Sequence, residues 1–314
     1  METVLASLNM EKAKDFLHHW GILCALVLVL VIAVILVILV LKRKKGKVVV
    51  PSMADHSTGT KMSNGLFEIE IGNCQGIGER EEQQDAFGFS PNNKWKDKGF
   101  LAVLCDGMGG LDSGAVISNK LVADVIKEFP YSFDALKEGW IIDSLSAEIY
   151  SQYSGRGGTT LIITYLKDDK LWFASVGDSD LLLYRGGRIY AMNQRQEYGN
   201  HLLMKVVDDA LAMEQIEGNP DAPALTEFMG AQHADPDYSI TPWQVMDGDT
   251  YLLCSDGISD TLSFDEIREA MSHSPAECAE ILEKSIMEKN KRYQDNYTAI
   301  IFSIKRVEVS NEVG

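Results

Sequence analysis

Residues 99–110 read GFLAVLCDGMGG, and the reading of the whole chain turns on them. Phe100 to Cys105 is an unbroken apolar run bounded by glycine, the pattern of a strand buried on both faces. The run stops at Asp106. A carboxylate at the mouth of a buried strand needs a cation, a hydrogen-bond donor or water to stay charged. Gly107, Gly109 and Gly110 follow it, and glycine lets a backbone come close to a ligand. Asp-Gly is also a common turn pair. The stretch alone is therefore either a hairpin turn or a ligand-binding loop, and the rest of the chain decides.

Outward from that strand, the pattern predicts one α+β domain from about residue 65. Residues 66–71 (LFEIEI) alternate as a half-buried strand does. Residues 113–129 place Leu121, Val122, Val125, Ile126 and Phe129 on one helix face. Residues 159–166, 171–176, 181–184 and 188–191 form a close series of strands, the last two joined by a Gly186-Gly187 hairpin turn. A helix is expected over 200–213, a short strand over 251–254 and a final strand over 298–304. Two helices between them begin with capping boxes, Ser263 with Glu266 and Ser274 with Glu277, and Pro275 suits a first helical position. Strands in runs without regular β-α alternation favour antiparallel sheets with helices packed outside.

The N-terminus reads differently. Residues 21–41 (GILCALVLVLVIAVILVILVL) carry no charge. As a helix they would be about 31 Å long, enough for a hydrocarbon core of about 30 Å. A signal-peptide core is shorter and is followed by a small-residue cleavage site. Here Lys42, Arg43, Lys44, Lys45 and Lys47 follow, against Lys12 and Lys14 upstream. The positive-inside bias then puts residues 1–20 outside the cell and everything after Lys42 in the cytoplasm. The expected organisation is thus an extracytoplasmic segment (1–20), a transmembrane helix (21–41), a basic juxtamembrane segment and polar linker (42–64), the α+β domain (65–306) and a short tail (307–314). The net charge of −17 argues against nucleic acid as a partner. The five scattered cysteines contain no C-x-x-C and suit a reducing compartment without a thiolate metal site.

Asp106 is not alone. Asp85 precedes the short apolar run AFGF, Asp256 follows a short strand and precedes Gly257, and Asp295 lies just before the last strand. One such aspartate is ordinarily a turn. Four in one domain, with no His or Cys cluster, suit oxygen ligands for a hard cation such as Mg or Mn. Divalent ions would also relieve the repulsion among carboxylates sharing a cleft.

In order and spacing, residues 66–305 resemble the metal-dependent, type 2C Ser/Thr protein phosphatases. The resemblance is carried by Arg80 through Asp85 (REEQQD), DGMGG at Asp106, Gly157-Gly158-Thr159-Thr160, Gly177-Asp178-Ser179, Ser255 through Asp260 (SDGISD), and Asp295-Asn296-Tyr297-Thr298. DGMGG and Gln84 are more similar to bacterial members than to animal ones. The resemblance implies two packed antiparallel sheets flanked by helices, with a site for two Mn or Mg ions at one end. It implies that Asp106 bridges both ions, that Gly107 offers its carbonyl, that Asp85 binds one ion, and that Asp256 and Asp295 hold the other. Arg80 is the implied clamp for the substrate phosphate, as a guanidinium fork suits phosphate oxygens. Two ions sharing a water would make hydroxide available for in-line attack on phosphorus.

Several positions depart from that pattern. Gln84 stands for an acid, Met108 and Leu111 stand where some members have His, and Gly155-Arg156 offers no acid for a third ion. Asp180 replaces the Arg usual after Gly-Asp-Ser, and residues 193–198 lack the usual Asp-His pair. Asp260 remains a further acid beside Asp256. Asp178 reads as a turn former. Asp247-Gly248-Asp249-Thr250 only superficially resembles an aspartyl-phosphatase motif, and Cys254 lies mid-strand with no Arg at loop distance. Two function classes follow. One is a membrane-anchored phosphatase acting on phospho-Ser and phospho-Thr proteins, opposed by a Ser/Thr kinase. The other is a catalytically impaired relative that binds phosphorylated or kinase partners. The retained acids and Arg80 favour the enzyme.

Overall fold

The structure, a computed structural model, describes residues 59–91, 95–108, 113–129, 140–153 and 155–307. The expected transmembrane helix (21–41), the basic segment, and Gly109, Gly110 and Leu111 lie outside the described residues. Among the described residues no helix is long and apolar enough to cross a membrane.

In chain order the elements are β1 (Thr60–Ser63), β2 (Phe67–Gly76), β3 (Ala86–Phe89), α1 (Trp95–Lys98), β4 (Phe100–Cys105), β5 (Gly107–Met108), α2 (Gly114–Glu128) and α3 (Trp140–Tyr153). There follow β6 (Gly158–Thr159), β7 (Leu161–Lys167), β8 (Lys170–Val176), β9 (Asp180–Arg185), β10 (Arg188–Ala191), α4 (Tyr198–Val207) and α5 (Glu214–Glu217). The remainder is β11 (Asp237–Tyr238), β12 (Trp243–Gln244), β13 (Thr250–Cys254), α6 (Asp256–Ser259), α7 (Phe264–Met271), α8 (Pro275–Lys289) and β14 (Tyr297–Arg306). One sheet runs β1-β2-β14-β13-β9-β10 and the other β11-β8-β7-β4-β3, with β12 also on β8. The strands pair antiparallel throughout both sheets.

The alternation of side chains along two strands shows how the layers stack. In β4, Phe100, Ala102 and Leu104 join Phe67, Ile69, Ile71 and Phe302 of the other sheet in one core. Leu101, Val103 and Cys105 point the opposite way, onto Ile117, Leu121 and Val125 of α2 and Ile142 and Ile149 of α3. In β14, Ile300, Phe302 and Ile304 face the inter-sheet core. Ala299 and Ile301 face Ile267 of α7 and Leu282 and Ile286 of α8. Helices therefore cover the outer face of each sheet, giving four layers. A strand covered on both faces reads as a continuous apolar run, which is why FLAVLC carries no polar residue.

The expected α+β class and the paired antiparallel sheets are observed, and so are both capping boxes. Gly186 and Gly187 have φ of 60° and 76°, the left-handed pair that a two-residue hairpin turn requires. Three expectations are corrected. Thr60–Ser63, assigned by sequence to the linker, is an edge strand paired with β2, and Met62 packs on the inter-sheet core. The folded domain thus begins near residue 59 rather than 65. The helix expected over 200–213 stops at Val207, and Asp209 turns left-handed at φ 57°. The strand expected over 159–166 is broken at Thr160 into β6 and β7, because Thr160 is used to hold Asp106.

Candidate metal and phosphate site

Antiparallel register sends five aspartates to one end of the sandwich. Ala86 pairs with Cys105, so Asp85 and Asp106 are neighbours at the same ends of β3 and β4. Cys254 pairs with Ala299 on one side and Asp180 on the other. That brings Asp256, at the start of α6, level with Asp295 before β14 and Asp178 before β9. Leu161 pairs with Val176, which sets Thr160 beside the Gly177-Ser179 turn.

Backbone and hydroxyl bonds fix these acids from behind. Thr160 Oγ1 accepts from the Asp106 amide at 2.9 Å, while Thr160 N and Thr159 Oγ1 both donate to the Asp106 carbonyl at 2.8 Å. Thr160 Oγ1 also meets Ser179 Oγ at 2.8 Å. The Gly-Thr-Thr segment is thus a brace for Asp106. Gly107 N donates to the Gln84 carbonyl, which Ser118 Oγ also reaches at 2.5 Å. A Cβ at Gly107 would stand 2.5 Å from that carbonyl oxygen, so only glycine fits there. Gln84 N in turn donates to Asn296 Oδ1, and Asn296 Nδ2 donates to the Ile77 carbonyl. Asp85 is buried, and its Oδ2 accepts from Ser255 Oγ at 2.9 Å and Thr298 Oγ1 at 2.8 Å.

The electrostatics mark the same cluster. Burial pushes the Asp106 carboxyl well above its ordinary range, and Asp85, Asp256, Asp178 and Asp295 push it further. Asp85 is raised to about 6, chiefly by burial, against the hydrogen bonds of Thr298 and Ser255 that hold it down. Asp256 rises to about 7 through burial and then the charges of Asp178, Asp260, Asp295 and Asp85. Asp178 rises to about 6, again first by burial. Acids raised by burial and by one another are common at functional sites.

The residues fit a hard divalent cation. The side-chain donor set is all oxygen, as Mg and Mn prefer. Among the described residues four buried side-chain polar atoms lack a hydrogen-bond partner, and two of them are Asp85 Oδ1 and Asp256 Oδ1. Such atoms are rare because each costs roughly 1–3 kcal/mol of desolvation. The side chains do not form a closed cage: among the described residues no three acidic, His or Cys groups are gathered tightly enough to enclose one ion as they stand.

Arg80 is at the rim. Its side chain is 58 % exposed and Nη2 lies 2.5 Å from Asp295 Oδ2, so it pairs with an expected ligand while its outer edge faces solvent. Asp178, which reads from sequence as a turn former, is a site residue whose charge acts on Asp106 and Asp256. Its signal was the one that singled out Asp106 and Asp256, an aspartate beside glycine at the end of a buried strand. Asp260 is tied up elsewhere, at the C-terminus of α6 with Arg195. Cys254 is fully buried in β13 and its thiol is held well above its ordinary pKa, first by burial.

Gly257 links this site to stability. A Cβ there would lie 1.9 Å from the Asn296 carbonyl oxygen. Gly257→Ala is expected to cost about 3 kcal/mol through overpacking, lowering Tm by about 6–12 °C. A melting curve unchanged from wild type would show that the first turn of α6 does not press on Asn296.

The sequence model of the family described as Protein phosphatase 2C matches residues 76–291. The chain is 28% identical over 183 residues to the Protein phosphatase PhpP of Streptococcus pneumoniae, covering 55% of this chain and 72% of that one. It shares the fold of the S. agalactiae serine/threonine phosphatase, with a TM-score of 0.64, 24% identity and coverage of 75% of this chain and 99% of that one. A second fold match, with a TM-score of 0.58 and 22% identity, covers 76% of this chain and 99% of the catalytic domain of the serine threonine protein phosphatase PstP, solved with 2 manganese ions. The Arg80–Asp85, Asp106, Gly-Thr-Thr, Gly-Asp-Ser and Asp256 segments all fall inside the matched region, and its acids meet at one end of the sandwich: the chain belongs to the protein phosphatase 2C family and is a phosphoprotein phosphatase.

Proposed function

We propose that the chain is a membrane-anchored phosphatase that hydrolyses phospho-Ser and phospho-Thr in cytoplasmic proteins, opposing a Ser/Thr kinase, with two Mn or Mg ions at the aspartate cleft. The observation that carries the reading is the pair of buried, unpartnered oxygens on Asp85 and Asp256 within a set of acids that raise one another's pKa. When bound, two divalent ions would lower the pKa of a shared water and supply an attacking oxygen near neutral pH. Asp106 would be the shared ligand, with the Gly107 carbonyl and Asp85 on one side and Asp256 and Asp295 on the other. The Thr159 and Thr160 bonds hold the Asp106 backbone in place, and Ser255 and Thr298 fix one oxygen of Asp85 while the other is left without a hydrogen-bond partner. Arg80 orients the phosphate and offsets charge on its oxygens as the ester bond breaks. The test is release of phosphate from a phosphoserine or phosphothreonine peptide by residues 59–314, with Mn and after EDTA. Turnover that EDTA leaves untouched would overturn the reading.

Arg80→Ala is expected to raise KM for a phosphopeptide about tenfold or more, the worth of a charge-assisted hydrogen bond. Mn affinity should change less than KM, because the Asp295 carboxylate remains. Collapse of Mn affinity at constant KM would make Arg80 a support for Asp295 and not a phosphate clamp.

The membrane assignment rests on the uncharged stretch 21–41 and the basic residues 42–47 after it. Protease added outside intact cells is expected to leave the domain from residue 59 onward uncut. Cleavage of that domain in sealed cells would overturn the topology.

A further inference from the structure

Two departures from the family pattern, Asp180 after Gly-Asp-Ser and the missing Asp-His pair in 193–198, meet in one ion pair. Arg195 Nη2 and Nε donate to the Asp180 carboxylate, Nη2 at 2.8 Å. The same guanidinium reaches α6: Nη2 donates to Ser259 Oγ at 2.5 Å and Nη1 to Asp260 Oδ1 at 3.0 Å. Nη1 also donates to Glu197 at 3.1 Å. All three guanidinium nitrogens are engaged, and the side chain is only 21% exposed.

The backbone around Arg195 is fastened to the Asp178 turn. Gln196 N donates to the Gly177 carbonyl at 2.9 Å, and Gln196 Oε1 accepts from Gly177 N at 2.8 Å. Asn193 Nδ2 donates to the Ser179 carbonyl, and Asn193 Oδ1 accepts from Leu181 N. Residues 193–196 therefore grip the turn that carries Asp178, and Arg195 extends from that grip onto the far end of the helix that begins with Asp256. Asp178 and Asp256 repel one another. A planar fork that collects Asp180, Ser259 and Asp260 at once can hold their two segments at a fixed spacing, as a flexible lysine cannot.

We propose that Arg195 is a positioning residue that clamps the Asp178 turn to the Asp256 helix, so that cation affinity at the cleft depends on its geometry and not on its charge. This deepens the functional reading above and rests on it. The two roles predict opposite signs. Deleting a positive charge beside an acidic cleft tightens binding of a divalent cation if charge is all that matters. Loss of a clamp weakens it.

The experiment is calorimetric titration of Mn into the EDTA-treated full chain in detergent, with apo melting curves, for wild type, Arg195→Gln and Arg195→Lys. The expected result is a Mn affinity about tenfold weaker in Arg195→Gln and also weaker in Arg195→Lys, which keeps the charge but loses the fork. If Arg195→Gln does not fold, Arg195→Lys decides alone: weaker Mn binding at an intact fold supports the clamp, and unchanged binding overturns it. Equal or tighter binding in a folded Arg195→Gln overturns the proposal while leaving the phosphatase reading in place. A wild type that binds no Mn overturns that reading and the clamp with it.

Discussion

Asp106→Ala and Asp256→Ala are each expected to reduce Mn- or Mg-dependent phosphopeptide hydrolysis by about a thousandfold or more while the domain stays folded. The size follows from the chemistry the acids would support. Bringing a water's pKa from about 15.7 toward about 7 is the central contribution of such ions, and each tenfold in rate is only about 1.4 kcal/mol. A carboxylate shared by two ions disturbs both when it is removed. Folding should survive for a reason the structure gives directly. Burial and four neighbouring acids already raise the Asp106 carboxyl well above its ordinary range, so the ionised group works against the metal-free fold. Its main-chain bonds to Thr159 and Thr160 do not depend on the side chain. Apo Asp106→Ala should therefore melt at or above apo wild type near neutral pH. Phosphate release and melting curves check both halves. Full activity in Asp106→Ala would overturn the two-ion reading.

Local chemistry was legible in the sequence wherever one short stretch contains its own cause. FLAVLC reads as a strand because both of its faces are buried. Ser263 with Glu266 and Ser274 with Glu277 read as helix starts because each capping box closes within four residues. Four of the cleft acids were legible from their place at strand boundaries. What the sequence did not show depends on how separate stretches pair. β1 is polar, and it is a strand because Thr60 to Ser63 pair with Glu68 to Ile71. Asp178 joins the cleft because Leu161 pairs with Val176. Asp180 and the absent Asp-His pair looked like two separate losses. Only the approach of Arg195 to Asp180, 15 residues apart, turns them into one contact.

The cleft also fixes a pH dependence whose sign is opposite to that of most carboxylates. Asp85 and Asp178 are raised from 3.8 to about 6 and Asp256 from 3.8 to about 7. Between about pH 4 and pH 7 the folded, metal-free chain then holds more protons at these groups than the unfolded chain does. Stability falls with rising pH wherever the native state binds more protons. These acids thus favour the apo fold below about pH 4 and lose that contribution as pH rises through 6 to 7. The loss is about 1.4 kcal/mol per group for every tenfold difference between its folded and unfolded acid dissociation constants. Glu266, lowered to about 2 first by its hydrogen bond with Lys289, acts in the other direction. Its contribution is present above its ordinary value of 4.5 and lost below, largely outside this window. A bound cation reverses the main trend, because protons must leave the carboxylates before Mn can enter. Melting temperature without metal should therefore fall from pH 5 to pH 7.5, while the increment produced by a fixed Mn concentration grows. Displacing one proton corresponds to about a tenfold gain in Mn affinity per pH unit below the relevant pKa. Titrations at pH 5, 6, 7 and 7.5 measure both slopes. A Mn increment constant across that range would mean that the raised acids are not the ones that hold the ion.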